Sequence, residues 1–318
     1  MALQNKTAAA ARGQTPHKHS LWRRMLQHYD LYLFILPALI WYIIFTYGPL
    51  YGVQIAFKNF NGALGIWGSP WVGLKHFRNF LTAYTFPNLL KNTLALSFYS
   101  LLAGFPFPIL LALMLNELNF KRYKKVVQTV TYAPHFISTV VMVGMLKLFF
   151  SPSTGVINTI IRLLGGAGSD FLSRPELFRH MYVWSGVWQG MGWGSIIYLA
   201  ALSAVDPQQH EAAVIDGATR LQRIWYINLP VLLPTITIQL ILNCGSILSV
   251  GYEKVLLMQN NLILDVSEVI STYVYKRGLL KAEYSYSAAV GLFNNVVNII
   301  MLLLVNGVVR KLGQTSLF

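Results

Sequence analysis

The sequence predicts an all-α membrane protein with six transmembrane helices, and two observations carry this prediction. Of the 318 residues, 55% are hydrophobic and only 11% are charged, whereas soluble domains carry about 25% charged residues. In addition, six long stretches contain no Asp, Glu, Lys or Arg, and about 20 helical residues cross a hydrocarbon core of roughly 30 Å. The composition therefore excludes a soluble globule, a disordered chain and, with Cys244 as the sole cysteine, a disulfide scaffold.

The six long uncharged stretches define the predicted helices. The predicted spans are residues 31–57, 92–116, 126–146, 180–205, 231–252 and 284–309. The remaining uncharged stretches, such as residues 148–161, are shorter or interrupted by Gly, Pro and Asn. The fifth uncharged stretch begins earlier, at Ile224, but its first residues belong to a loop at 206–230. Residues 1–30 and 310–318 are predicted to be cytoplasmic tails.

The net charge of +14 serves as an orientation signal. An even number of spans places both termini on one side, and lysines and arginines collect in short cytoplasmic segments of membrane proteins. Arg23 and Arg24 precede the first span, and the cluster from Lys121 to Lys125 separates the second span from the third. Both termini and the loop at 206–230 are therefore predicted on the cytoplasmic side. Topology accounts for the charge, and no nucleic-acid partner is predicted.

The loop at 206–230 has the pattern of a helix-turn-helix. Asp206 and Pro207 suit the N-cap and the first helical position, with Gln209 as the partner of a capping box. Gly217 is placed to end this helix, and a second short helix is predicted to run toward Pro230, where the fifth span begins. Taken by itself, this pattern fits either a surface that docks another protein or an amphipathic helix at the membrane interface.

The same loop resembles the EAA motif of the permeases of binding-protein-dependent ABC importers. That motif has Glu-Ala-Ala, a Gly at the seventh position and Ile-x-Leu-Pro ending at the twentieth. The matching residues in this sequence are Glu211, Ala212, Ala213, Gly217, Ile227, Leu229 and Pro230. All of these positions agree with the motif in residue type and spacing.

Further segments are similar to the carbohydrate-uptake permeases of this family, and most similar to the branch that serves poly- and oligosaccharides and includes alginate-type importers. The segments are residues 92–93 (Asn-Thr), 112–117 (Ala-Leu-Met-Leu-Asn-Glu), 132–138 (Tyr-Ala-Pro-His-Phe-Ile-Ser) and 288–293 (Ala-Ala-Val-Gly-Leu-Phe). The resemblance covers roughly residues 25–318. Only the EAA loop is specific enough to stand by itself.

The resemblance implies a transport subunit and not an enzyme. Permeases of this family bind no nucleotide themselves, and the sequence contains no G-x-x-x-x-G-K-[ST] phosphate loop, so ATP and Mg²⁺ belong to two separate ATPase subunits. It also implies the bacterial plasma (inner) membrane, a second homologous permease, and an extracytoplasmic solute-binding protein that delivers saccharide for import by alternating access. The residues implied in ATPase coupling are Glu211, Ala212, Ala213, Asp216, Gly217, Ala218, Arg220, Arg223 and Pro230.

Polar and aromatic residues in the predicted spans are candidates for the substrate path. A buried polar group is costly in a membrane, aromatic faces stack on sugar rings, and amides bind hydroxyls. The candidates are Trp188, Gln189, Trp193, Asn243, Ser246, Tyr252, Glu253, Asn294, Asn295 and Asn298. The tryptophans also fit an interfacial belt, and the asparagines fit bridges between helices. Glu253 and Lys254 fit either pairing with neighbouring subunits or a position at the water interface.

An ion-driven secondary transporter is the alternative function. It predicts an acidic residue near the middle of the membrane, and none lies in the predicted spans away from the edge position of Glu253. The seven histidines are scattered, so neither an intramembrane enzyme nor a metal site is predicted. The predicted extracytoplasmic segments carry more basic than acidic residues, which suits an acidic oligosaccharide such as a uronide.

Overall fold

The computed structural model describes residues 29–313 and 315–317. Within these residues the regular secondary structure is helical, and one isolated antiparallel bridge joins Lys58 and Trp71. Most of the predicted N-terminal tail lies outside the described residues. The chain divides into two compact units, one ending at Val53 and one beginning at Gln54.

The described helices follow one another closely along the chain. The α-helices are Tyr29–Tyr42 (α1), Gly48–Leu50 (α2), Gly65–Gly68 (α3), Lys75–Leu81 (α4), Phe86–Gly104 (α5), Pro106–Asn116 (α6), Lys121–Tyr132 (α7), Thr139–Phe149 (α8), Val156–Leu163 (α9), Pro175–Leu202 (α10), Pro207–Ile215 (α11), Arg220–Arg223 (α12), Leu229–Cys244 (α13), Tyr252–Met258 (α14), Leu264–Ser267 (α15), Ile270–Tyr275 (α16) and Tyr284–Lys311 (α17). Short 3₁₀ segments lie at Tyr51–Phe57, Ala133–Phe136 and Phe171–Ser173, and π-helical segments at Ile43–Tyr47, Ile224–Asn228 and Lys276–Leu280.

The N-terminal unit consists of apolar helix. α1 continues through a π-helical segment and α2, so that Tyr29–Phe57 forms 29 helical residues that are long and apolar enough to cross a membrane. Every residue from Tyr29 to Leu50 is exposed, and a helix that is apolar on all sides needs lipid or protein around it. The predicted first span, residues 31–57, is therefore observed as a helix.

Four helical segments are long and apolar enough to cross a membrane: Tyr29–Phe57, Phe86–Asn116, Arg220–Cys244 and Tyr284–Lys311. A fifth candidate is the pair Lys121–Phe136 and Thr139–Phe149, which is bent by 99°. α10 has 28 residues in the region of the predicted fourth span, but it falls outside this apolar set. The described helices thus give four or five candidate spans, and the count of six and the side of the termini stay predictions.

The predicted third span, residues 126–146, is divided into two helices by a sharp bend. α7 ends at Tyr132, a 3₁₀ turn follows, and α8 starts at Thr139. Pro134 in that turn has no N–H to donate, and the Ser138 hydroxyl accepts the amide of Val141 at 3.3 Å as the N-cap of α8. A proline and a new N-cap therefore break the helix at this point.

The predicted fifth span, residues 231–252, also differs from the structure. The helix begins at Arg220 and ends at Cys244, and residues 245–251 form a turn. Gly245 allows this turn to approach α17 closely, because a Cβ there would lie 2.6 Å from Leu302 Cδ1. Within the turn, the Leu248 amide donates to Asn298 Oδ1 at 3.0 Å instead of to a helical carbonyl.

Residues 58–90 fold against α17. The Asn59 amide donates to the Pro70 carbonyl oxygen at 2.9 Å, which closes a loop around α3. The Phe80 ring of α4 packs on Phe293 with centroids 5.5 Å apart and is 1% exposed. The aromatic residues of this segment therefore form part of a core.

α10 is the helix around which the second unit packs, since it contacts α5, α6, α7 and α13. Gly192 lets α10 pass close to α7, because a Cβ at this position would collide with the carbonyl oxygen of Thr131. Gly194 faces α6, where a Cβ would lie 3.1 Å from the ring of Pro108. Glycine allows such close approaches between membrane helices.

We expect Gly192→Ala to lower the apparent melting temperature of the detergent-solubilised protein, because overpacking a tight contact costs about 1–3 kcal/mol. Gly190→Ala is the matched control, since its Cβ would meet no atom within 4 Å, and it should melt like the native protein. Equal melting temperatures for Gly192→Ala and the native protein would contradict the close passage of α10 and α7.

Candidate functional site

A cavity of about 760 Å³ lies within the second unit. Its wall is formed by α5, α6, α10, α13, the turn at 245–251 and the start of α14. Sites for small molecules typically have volumes of about 300–1,000 Å³ and lie between helices or domains. The cavity is therefore the right size for a ligand of several rings or sugar units.

One face of α10 carries glycines where it borders this cavity. Gly186, Gly190 and Gly194 are spaced four residues apart, which puts them on one helix face, and all of them line the cavity. A Cβ at Gly190 would meet nothing within 4 Å. The cavity therefore occupies the space that larger side chains on this face would fill.

The wall combines hydrogen-bonding groups with aromatic faces. The polar residues are Ser97, Ser100, Gln189, Gln239, Asn243, Ser246, Ser249 and Lys254, and the aromatic residues are Phe105, Tyr182, Trp193 and Tyr198. Hydroxyls and amides both donate and accept hydrogen bonds, and aromatic rings present flat apolar faces. No carboxylate lies among the lining residues, so the wall suits a ligand rich in hydroxyl groups better than a cation.

Four predicted path residues line this cavity, namely Gln189, Trp193, Asn243 and Ser246. Two of them also brace the bend between α7 and α8. Gln189 Nε2 donates to the Ile137 carbonyl oxygen at 2.7 Å, and the Trp193 ring stacks on His135 with centroids 4.5 Å apart. The bend and the cavity wall are thus held by the same side chains, and contact of these residues with a substrate stays a prediction.

Asn294 and Asn298 on α17 hold the turn at 245–251. Asn298 Oδ1 accepts the Leu248 amide at 3.0 Å, and its Nδ2 donates to Ser249 Oγ at 2.8 Å. Asn294 Nδ2 donates to the Leu248 carbonyl oxygen at 3.2 Å. Both amides are therefore engaged with the part of the wall that carries Ser249.

The remaining predicted path residues lie away from this cavity. Trp188 borders a separate apolar cavity of about 430 Å³ between α8 and α10. Tyr252 stacks on Tyr275 with ring centroids 5.1 Å apart. Glu253 and Asn295 are exposed.

Lys254 is a wall residue that the sequence places at the water interface. Among the described residues it is the only charged one that lines the cavity. Its Nζ donates to the Tyr182 carbonyl oxygen at 2.8 Å and lies 4.7 Å from the centroid of the Tyr182 ring. The sequence shows Lys254 two residues after an uncharged stretch that ends at Tyr252, but it does not show that the Lys254 side chain contacts α10.

The loop at 206–230 begins with the helix α11. Asp206 caps this helix by accepting the Gln208 amide at 2.9 Å. The predicted capping box with Gln209 is not formed in this described loop, since the cap bond goes to Gln208, one residue earlier. The predicted N-cap is correct, and its partner is different.

Gly217 ends α11 in the left-handed conformation, with φ of +81°. The Ala218 amide donates to the Ala213 carbonyl oxygen at 2.8 Å, and the Gly217 amide donates to the Val214 carbonyl oxygen at 3.0 Å. This pair of bonds is the Schellman motif, which satisfies carbonyls at a helix C-terminus. The turn is therefore closed by its own backbone.

The second helix of the loop is continuous with α13. The Thr219 amide donates to Gln222 Oε1 at 2.8 Å, and the Gln222 amide donates to Thr219 Oγ1 at 3.3 Å, which forms a capping box. From Arg220 the chain stays helical through the π-helical segment Ile224–Asn228 to Cys244. The boundary predicted at Pro230 therefore falls inside one helix.

The loop exposes apolar side chains beside the predicted coupling residues. Ile215 is 85% exposed and Leu221 is 77% exposed. Among the predicted coupling residues, Glu211, Ala212, Asp216, Gly217, Arg220 and Pro230 are exposed, and Ala213 and Ala218 are half-buried. Exposed apolar side chains grouped around small residues are typical of a surface that another protein covers.

Arg223 lies at the base of the loop and faces the protein. Its Nη2 is 3.8 Å from Glu117 Oε2, and both side chains are 19% exposed. Asn228 Nδ2 donates to the other oxygen, Glu117 Oε1, at 3.3 Å. Glu117 is the C-cap of α6, where a carboxylate is unfavourable next to the helix dipole. The Arg223 guanidinium and the Asn228 amide stabilise the Glu117 carboxylate, and these contacts join the end of α6 to the base of α12 and α13.

The family profile of the binding-protein-dependent transport system inner membrane components matches residues 104–314. The chain belongs to this family. The matched range contains most of the cavity wall and the whole loop at 206–230. As a member of this family, the chain is a subunit of a transport system and a multi-pass protein of the inner membrane, which confirms the family predicted from the EAA loop.

Two curated family members are similar over nearly the full chain. Protein LplB of Bacillus subtilis (strain 168) is 46% identical over 288 residues, which cover 91% of this chain and 91% of that protein. The polygalacturonan/rhamnogalacturonan transport system permease protein YteP of the same organism is 44% identical, over 93% of this chain and 92% of that protein.

Two solved structures of transport systems contain chains with the same fold. One is a bacterial ABC transporter involved in the import of the acidic polysaccharide alginate, whose chain is 43% identical with a TM-score of 0.84, over 92% of this chain and 98% of that one. The other is a bacterial alginate ABC transporter in complex with alginate pentasaccharide-bound periplasmic protein. Its chain is 42% identical with a TM-score of 0.85, and the match covers 94% of this chain and 100% of that one.

We expect Glu117→Gln to destabilise the detergent-solubilised protein by about 1–3 kcal/mol, because Arg223 loses its charged partner. The double variant Glu117→Gln/Arg223→Gln should lose less stability than the sum of the single variants, as partners in one network do. Thermal unfolding of the native protein, the two single variants and the double variant measures this coupling. Glu211→Gln is the control that removes an exposed carboxylate. Additive losses would show that the pair is not coupled.

Proposed function

We propose that this chain is the membrane permease subunit of an ATP-driven importer of oligo- or polysaccharides, acidic ones in particular. The observation that carries the proposal is the match, at 43% identity and a TM-score of 0.84 over 92% of the chain, to a transporter that imports the acidic polysaccharide alginate. YteP, whose name refers to polygalacturonan and rhamnogalacturonan, supports the same class of substrate.

The cavity supports saccharide passage by its chemistry. Sugars present hydroxyl groups around rings with apolar faces, and the wall offers amides and hydroxyls, including Asn243 and Ser246, next to the aromatic rings of Tyr182 and Trp193. The contacts are spread around a large space and not concentrated in one tight pocket. A transport path requires binding that is favourable enough for entry and weak enough for release.

The loop at 206–230 is the proposed contact with one of the two ATPase subunits, which would bind ATP and Mg²⁺. α11 presents exposed Glu211 beside small residues, and Ile215 and Leu221 extend this surface with apolar side chains. An extracytoplasmic binding protein would deliver the saccharide, and a second homologous permease would complete the pore. The similar alginate ABC transporter in complex with a pentasaccharide-bound periplasmic protein supports the binding protein as a partner.

The geometry offers a direct mechanical route from the loop to the cavity. α10 enters the loop and α12 with α13 leaves it, and both sides contribute to the cavity wall through Gln189 and Asn243. The helix Arg220–Cys244 has 25 residues, which corresponds to about 37 Å at roughly 1.5 Å per residue. A tilt of the loop would therefore move the far end of this helix and the turn after it. Two packings of this kind would provide alternating access.

The ion-driven alternative receives less support from the wall. Ion-coupled carriers use acidic or other titratable groups inside the membrane, and among the described lining residues only Lys254 is charged. An ammonium group repels the cations that drive such carriers.

The proposed function predicts that an ATPase subunit copurifies with the tagged chain from native membranes. The copurified complex in proteoliposomes should import an oligosaccharide only when its binding protein is outside and hydrolysable ATP is inside. Dissipation of proton and sodium gradients by ionophores should leave uptake unchanged. Uptake that requires a gradient and proceeds without ATP would establish the secondary transporter instead.

The coupling assignment predicts that Glu211→Lys inserts into the membrane normally but loses saccharide uptake by about tenfold or more, within the range of coupling energies between sites. Gln209→Lys is the matched control, because it adds the same ammonium group two residues earlier, on another face of α11. Normal uptake by Glu211→Lys, or equal losses in both variants, would exclude Glu211 as a coupling residue.

A further inference from the structure

Lys254 is placed in the cavity by two local features of the chain. The helix α13 ends at Cys244, and the turn at 245–251 is followed by α14, whose Lys254 side chain reaches Tyr182 of α10. There the Lys254 side chain lies over Gly186, where a Cβ would be 3.4 Å from Nζ. A Cβ at position 186 would thus be in van der Waals contact with the ammonium group, which places Lys254 Nζ directly beside the glycine face of α10.

The ammonium group of Lys254 is incompletely satisfied. It carries three N–H donors, and the only hydrogen bond that it makes within the described residues goes to the Tyr182 carbonyl oxygen. The Tyr182 ring adds a cation–π contact at 4.7 Å. No carboxylate within the described residues forms an ion pair with it. A partly buried charge is costly unless an opposite charge pairs with it, and no described residue of the chain supplies that opposite charge.

We infer that Lys254 binds a carboxylate group of the transported saccharide and is the residue of this permease that favours uronic-acid units over neutral sugars. This inference rests on the proposed function and adds that the Lys254 ammonium group recognises the negative charge of the substrate. A carboxylate at Nζ would form a charge-assisted hydrogen bond, which is about twice as strong as a neutral one. A neutral sugar would leave the ammonium group without its counter-ion.

The position of Lys254 suits a polymer that moves past it. Asn243 and Ser246 lie on the same wall and offer hydrogen bonds to the hydroxyls of the unit whose carboxylate contacts Nζ. Lysine carries a compact charge on a flexible stem, whereas arginine holds carboxylates in a fixed two-bond geometry. A single flexible contact can be made and broken as successive uronate units pass, which transport requires.

The test measures ATP-dependent uptake by the copurified complex in proteoliposomes for Lys254→Gln, Lys254→Glu and Lys254→Arg. The probes are trigalacturonate, trimannuronate and neutral arabinotriose, each presented with the native binding protein. We expect the native complex to import at least one acidic probe, Lys254→Gln to import it about tenfold more slowly, as for the loss of a hydrogen bond to a charged group, and Lys254→Glu to be slower still.

Two controls separate recognition from structure. Lys254→Arg, which keeps the charge, should retain uptake within a few-fold, and Lys147→Gln, which removes an exposed lysine of α8 outside the cavity wall, should retain it fully. The melting temperature of each detergent-solubilised complex should match that of the native complex.

Each outcome bears on one of the two proposals. Unchanged uptake by Lys254→Gln, a loss that follows the melting temperature, or a native complex that imports only arabinotriose would overturn the role of Lys254. A native complex that imports none of the probes with ATP would contradict the proposed function itself.

Discussion

The close passage of α10 past α7 is the contact on which the rest of the second unit depends. Gly192 must lack a side chain because the Thr131 carbonyl oxygen occupies that space, and this fixes how α10 lies against the bent pair α7 and α8. With the helix held there, its other glycine face, which contains Gly190, is turned toward α5, α6 and α13. Glycines on α10 therefore have two effects: Gly192 allows close packing against α7, and Gly190 leaves space for the cavity.

The same arrangement joins the cavity to the loop at 206–230 through rigid elements. The loop is stiffened by local bonds, a Schellman turn at Gly217 and a capping box at Thr219, and its base is fixed to α6 by Glu117 and Arg223. Few flexible connections therefore separate α11 from the cavity wall. Where packed helices have two stable arrangements, such connections turn small displacements at one site into discrete changes at another.

The parts of this structure that follow local rules could be predicted from the sequence, and the parts set by distant contacts could not. Asp206 and Gly217 mark the ends of α11 because capping and left-handed turns depend on a few neighbouring residues. The end of α13 at Cys244 depends on Gly245 meeting Leu302 and on the Leu248 amide meeting Asn298, fifty residues away. Uncharged stretches identify helices that could span a membrane, and Pro134 marks a point where one of them can bend, but neither shows that the bend reaches 99°.

Polar residues of the candidate membrane helices fall into two groups: those whose hydrogen bonds hold the fold together, and those whose polar atoms are free to bind a ligand. Asn298 has both ends of its amide engaged with the turn at 245–251, and Gln189 Nε2 is engaged with the bend at Ile137. Sequence reasoning cannot separate such structural groups from ligand-binding groups, because burial makes both of them costly. The distinguishing feature is unused hydrogen-bonding or charge capacity that faces open space. By that criterion Lys254 ranks above the asparagines of α17, because its charge has no counterpart within the described residues and its side chain lines the cavity.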